Sequence, residues 1–102
     1  MGFFDMLGGA IASGAKGMMN KVITDYYQSI RRASSSDLED MYKIMDNGIK
    51  KKILLVRLAE IDSYRAVQIA SMDNIQKNQF LKFTEISETR EGAMILIKSL
   101  EK

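Results

Sequence analysis

Apolar residues return every third or fourth position along most of the chain, the spacing of α-helices that turn one side to a core. At about 100° of rotation per residue, the pattern predicts four helices, over 3–33, 37–46, 49–70 and 74–100. On the second, Leu38, Met41, Tyr42 and Met45 share one face, while Glu39, Asp40 and Lys43 point away. The third is apolar on two sides. Ile49, Ile53, Val56 and Val67 form one stripe; Leu54, Leu58 and Ile61 form another, widened by Leu55 and Ile69. A helix of that kind needs neighbours on more than one side, which puts helix three in the middle. On the fourth, Ile75, Phe83, Ile86, Ala93, Ile97 and Leu100 face one way, and the turn from Met94 to Ile97 is apolar all round. Ile53-Leu54-Leu55-Val56 alone would suit a strand, but the helical period continues on both sides of it.

Punctuation between these segments is sparse. The chain has no proline, so nothing in it carries the strongest helix-breaking penalty. Ser36 with Glu39 three residues on has the spacing of a capping box. Asn47-Gly48 suits a left-handed helix stop, Ser71 or Asp73 can cap the last helix, and Gly92 is a weaker interruption. The fold class that follows is all-α: a small bundle of about four helices. Residues 1–33 form a Gly-rich amphipathic N-terminal helix and 34–102 the bundle core, one domain overall.

Composition narrows the chemistry. The 102 residues include no cysteine, histidine or tryptophan. A disulfide scaffold and thiolate chemistry are excluded, as are an ordinary structural zinc site and a Ser-His or Cys-His nucleophile. The carboxylate pairs Asp37 with Asp40 and Glu85 with Glu88 have helix-surface spacing, with nothing else converging on them. No phosphate loop or dinucleotide glycine signature occurs, so no enzyme activity, metal or cofactor is expected. A net charge of +2 is too small to imply nucleic acid.

The first nineteen residues are the most distinctive. Phe3, Phe4, Leu7, Ile11 and Met18 fall within roughly 100° of helix circumference, a stripe that continues to Val22. Small residues recur every fourth position through Gly9, Ser13 and Gly17, a pattern that lets helix backbones approach closely. Glycine costs about 1 kcal/mol relative to alanine in a helix, so this segment acquires order by docking on something. Residues 6–15, the uncharged interval between Asp5 and Lys16, are too short for the roughly 20 apolar residues that span a bilayer. The segment lacks the basic start of a signal peptide, and Met6 stands where a myristoylation motif needs Ser or Thr. What remains is a leader that packs onto the bundle through its phenylalanines, or a surface for a protein partner, for a second copy of the chain, or for one leaflet of a membrane.

Lys50-Lys51-Lys52 follows at the start of helix three. With acidic helix two before it, the layout has the outline of a helix-turn-helix. A reading helix needs an exposed polar face along its first turns, and Ile53 to Val56 supply core instead, which argues against nucleic acid. The triplet reads as a solvated or ion-paired face, or as an anion or orientation contact with a partner. Tyr26-Tyr27 reads as a core edge with its hydroxyls at the water boundary. Met41, Met45 and Met72 read as core filler; Met6, Met18 and Met19 read as contact surface.

Taken together, these features lead to a non-enzymatic interaction protein, an adaptor, chaperone-like or inhibitory subunit. It docks through Phe3, Phe4, Leu7, Ile11 and Met18, with Gly9, Ser13 and Gly17 permitting close packing. The apolar surplus of helix three and of Met94–Ile97 favours a homo-oligomer, cyclic by default. The alternative is a membrane-associated protein whose N-terminal helix enters a leaflet. The expected location is the cytoplasm or the inner face of a membrane.

Overall fold

The computed structural model describes residues 12–101. Among these it is all-α, with five α-helices, one 3₁₀ run and no strand. The helices are α1 (Ala12–Ile30), α2 (Ser35–Ile44), α3 (Gly48–Ile61), α4 (Ser63–Met72) and α5 (Ser87–Leu100), with the 3₁₀ run Lys77–Glu85 between α4 and α5. Phe3, Phe4, Leu7, Gly9 and Ile11 lie outside the described residues.

Helix α3 packs against each of the other four α-helices. Its Ile53, Leu54, Leu55, Val56, Leu58 and Ala59 are all buried. Apart from Ile61 of the second stripe, which stays 44% exposed, the two-sided pattern of this segment is thus largely answered within one chain. So is most of the Met94–Ile97 turn: Leu96 is fully buried, Ile95 and Ile97 pack on the core, and only Met94 stays 40% exposed. These two features no longer argue for an oligomer.

The expected helix over 49–70 is two helices. Asp62 leaves the helical region at φ −152° and ψ 79°, and its Oδ1 accepts from the Arg65 amide at 3.3 Å. One residue therefore ends α3 and caps α4. The break turns α4 so that Ala66 and Ala70 are fully buried and Arg65 reaches Glu39 on α2. Helix α4 ends in a Schellman arrangement, with the Ile75 amide on the Ala70 carbonyl at 2.9 Å and the Asn74 amide on that of Ser71 at 3.1 Å. Asn74 takes the left-handed conformation this motif requires, at φ 57°. Asp73 is thus the end of α4 and caps no later helix.

The expected helix over 74–100 is also divided. In the 3₁₀ run the side chains three apart eclipse, which brings Phe80 and Phe83 onto one face with ring centroids 6.4 Å apart, both fully buried. Such runs rarely exceed three or four residues. This one is tied down at its end by side chains: Thr89 Oγ1 donates to the Phe83 carbonyl at 2.7 Å and Arg90 Nε to that of Thr84 at 2.8 Å. Ile86, in extended conformation, then opens α5.

Two caps fall elsewhere than expected. Ser34, not Ser36, accepts from the Asp37 amide at 3.1 Å and starts α2. Asn47 does not stop a helix; its Oδ1 accepts from the Lys50 amide at 3.0 Å and starts α3, and no described glycine has positive φ.

Gly92 is not an interruption. It lies inside α5, buried against α3, where a Cβ would stand 2.2 Å from the Val56 carbonyl oxygen and 2.7 Å from Val56 Cγ1. Backbone cannot yield as a flexible side chain can, so the two helices cross here only because one carries no side chain. We expect Gly92→Ala to lower unfolding free energy by about 2 kcal/mol or more in urea titration, since overpacking of this kind exceeds the ~1 kcal/mol that alanine gains in helix propensity. A stabilised variant would show that the crossing relaxes freely.

Candidate functional site

Helix α1 carries the candidate contact face, and two of its sides differ in role. Ile23, Tyr27 and Ile30 are buried, with Met19 and Tyr26 packed beside them. Met18 and Val22 are 37% and 46% exposed. Val22 precedes Ile23 by one residue, so these two sit about 100° apart around the axis. The stripe read from the sequence as continuing to Val22 is therefore a different side from the one that joins the core. Of the methionines assigned to contact, Met18 is on the open side and Met19 is half-buried. A Cβ at Gly17 would meet nothing within 4 Å, so no described part of this chain uses the close approach that Gly17 permits. Ser13 lies in the first turn of α1; its side chain is outside the described residues.

The lysine triplet is half-buried. Lys50 Nζ stands over the Tyr26 ring at 5.2 Å and Lys51 Nζ over the Tyr42 ring at 4.5 Å. These are cation–π distances; they fasten the start of α3 to α1 and α2 through aromatic faces rather than through the carboxylates of α2. Lys52 has its pKa lowered by burial and by the nearby Lys82 charge.

Tyr27 and Tyr42 each reach a carboxylate on another helix. Tyr27 Oη donates to Glu60 Oε1 at 2.6 Å, and Arg57 Nη1 donates to the same oxygen at 3.0 Å. Tyr42 Oη donates to Asp73 Oδ2 at 2.5 Å. Burial first, then the accepting carboxylate, raises both phenol pKa values. The Tyr26 hydroxyl is buried with no partner rather than at the water boundary.

Beside Tyr42 lies a cleft of about 330 Å³ lined by Glu39, Tyr42, Lys43, Lys51, Arg65, Ile69, Met72 and Asp73. Met41 and Met45 are half-buried as core filler, but Met72 is 71% exposed at this cleft. The cleft's polar groups are turned on one another: Arg65 pairs with Glu39 at 2.8 Å, and Asp73 accepts from Tyr42. Among the described residues no cluster of three acidic side chains is arranged to hold a metal.

No described helix is long and apolar enough to cross a membrane. With this all-α helical globule and its apolar α1 face in view, no protein-family model, curated protein sequence or solved structure matches the chain.

The Glu39–Arg65 pair has a pH signature. The hydrogen bond from Arg65 holds the Glu39 carboxyl below its ordinary 4.5. A depressed carboxyl contributes stability that is present above the unfolded value and lost as pH falls through the folded one. The thermal midpoint should therefore drop on acidification below about pH 4.5, and Glu39→Gln should lower the midpoint at neutral pH while flattening part of that acid limb. An unchanged acid limb in the variant would separate the pair from stability.

Proposed function

We propose that the chain is a non-enzymatic helical interaction protein, an adaptor, chaperone-like or inhibitory subunit that docks through the apolar face of its N-terminal helix. The observation that carries this reading is the exposure of Met18 and Val22 on a side of α1 that adjoins its packed face. On the helical period, these are the last members of the stripe that begins at Phe3 and Phe4 and runs through Leu7 and Ile11. Two further features support it. Open space at Gly17 leaves room for another backbone, and the Gly9–Ser13–Gly17 spacing extends that row. The cleft beside Tyr42 has its Glu39, Arg65, Tyr42 and Asp73 groups joined in an ion pair and a phenol bond, so it is the weaker candidate. The docked partner is another protein or a second copy of this chain; Lys50, Lys51 and Lys52 bias its orientation.

Replacing Met18 and Val22 together by Gln, or Phe3 and Phe4 together by Ala, should abolish self-association in size-exclusion chromatography with light scattering, or capture of a protein partner. The Gln pair should shift stability by no more than about 0.5 kcal/mol, as exposed positions do. Ile23→Ala, on the packed side, should instead cost about 2–5 kcal/mol. Flotation with phosphatidylcholine vesicles that is lost on deleting residues 1–19, with no protein complex formed, would replace this reading by the membrane-associated one.

A further inference from the structure

The end of α1 and the turn after it place Gln28, Arg31 and Arg32 beside Arg57 of α3, around a hollow of about 610 Å³. These four residues are its whole described lining, so three arginines and a glutamine share one concavity with no acidic residue in its wall. Arg57 is largely buried. Its Nη1 is held by Glu60 at 3.0 Å, while its Nε is buried with no acceptor. The side chains of Arg31 and Arg32 are exposed and make no ion pair among the described residues.

Basic side chains after a helix end gain from the helix dipole. That accounts for Arg31 and Arg32 but not for Arg57, which comes from the middle of another helix. Like charges brought into one hollow repel, and a buried N–H without an acceptor is a net cost. Glu60 offsets one of the three charges, and the Arg57 Nε stays without an acceptor. A guanidinium presents a planar fork of donors that matches a tetrahedral oxyanion, and several such forks around one concavity are a phosphate-recognition geometry.

We propose that this hollow binds a phosphate-class oxyanion, a phosphate or pyrophosphate group that is free or carried on a lipid headgroup. Arg31 and Arg32 supply the charge that Glu60 does not neutralise. Arg57, fixed by Glu60 and through it by Tyr27, supplies the rigid wall. Arg31 also borders a second hollow that holds Glu60, Glu88 and Glu91. The negative charge there works against the anion and sets a ceiling on affinity.

Calorimetry of the full chain with inorganic pyrophosphate, together with amide chemical-shift mapping, tests the site. Flotation with phosphatidylcholine vesicles with and without phosphatidylinositol 4-phosphate separates the two sources. Saturable binding with shifts confined to the neighbourhood of residues 28–32 and 57 is expected. It should weaken about tenfold or more in the double variant Arg31→Gln/Arg32→Gln, and it should hold in Lys43→Gln/Lys98→Gln, which removes the same charge from exposed positions on α2 and α5. Glu88→Gln/Glu91→Gln should tighten it. Binding only to the phosphoinositide vesicles, lost in the Arg31/Arg32 variant, assigns the headgroup as source. Absence of binding to either probe, shifts that map elsewhere, or equal weakening in the Lys43/Lys98 control would overturn the proposal.

Discussion

The crossing of α3 and α5 at Val56 and Gly92 is the contact on which the remaining packing depends. A carbonyl oxygen of one helix occupies the place where the other would carry a Cβ, so the two axes lie closer than ordinary side chains permit. Around that point Val56, Ala93 and Leu96 are fully buried. The crossing also fixes the 3₁₀ run, since Thr89, one turn before Gly92, holds the Phe83 carbonyl and with it the Phe80–Phe83 pair. With one side of α3 committed to α5, its other sides are free to receive α1, α2 and α4.

The outer helices are then pinned by a repeated device. Helix α1 sends Tyr27 to Glu60 on α3, and α2 sends Tyr42 to Asp73 at the end of α4. Each phenol buries its ring and spends its hydroxyl on a carboxylate, so apolar area and a charge-assisted hydrogen bond come from one side chain. The lysines at the start of α3 complete the device by covering the Tyr26 and Tyr42 rings. Charge that looks like a binding patch in the sequence is thereby used in architecture. An apolar side of α1 and the arginines at that helix's end are left outside this scheme, as are the exposed Ile44, Tyr64, Met72 and Leu81 on other elements. The side of α1 and these arginines lie on or next to one element.

Much of this was legible locally. The helical class, the packed face of α2 through Leu38 and Tyr42, and the two-sided burial of Ile53 to Leu58 follow from spacing of three and four residues, which depends only on the turn of the helix. The N-terminal stripe is read from the same spacing; of it the structure describes Met18 and Val22, which are exposed. The stripe could not reveal that the core takes the neighbouring side, through Ile23, Tyr27 and Ile30. Both sides of this helix are apolar enough, and only the position of α3 chooses between them.

The sequence by itself determined where helices are possible and which sides of them are apolar, because both properties are set within a turn or two of chain. Tertiary structure decided the break at Asp62, the role of Gly92, and the partners of Lys50, Lys51 and Arg65. Lys50 and Tyr26, Arg65 and Glu39, and Gly92 and Val56 are 24 to 36 positions apart, and no local pattern encodes their approach. A glycine in a helical stretch reads as weakness until another backbone is seen against it. An aspartate before a serine reads as one more surface acid until the helix after it must turn to bury Ala66 and Ala70.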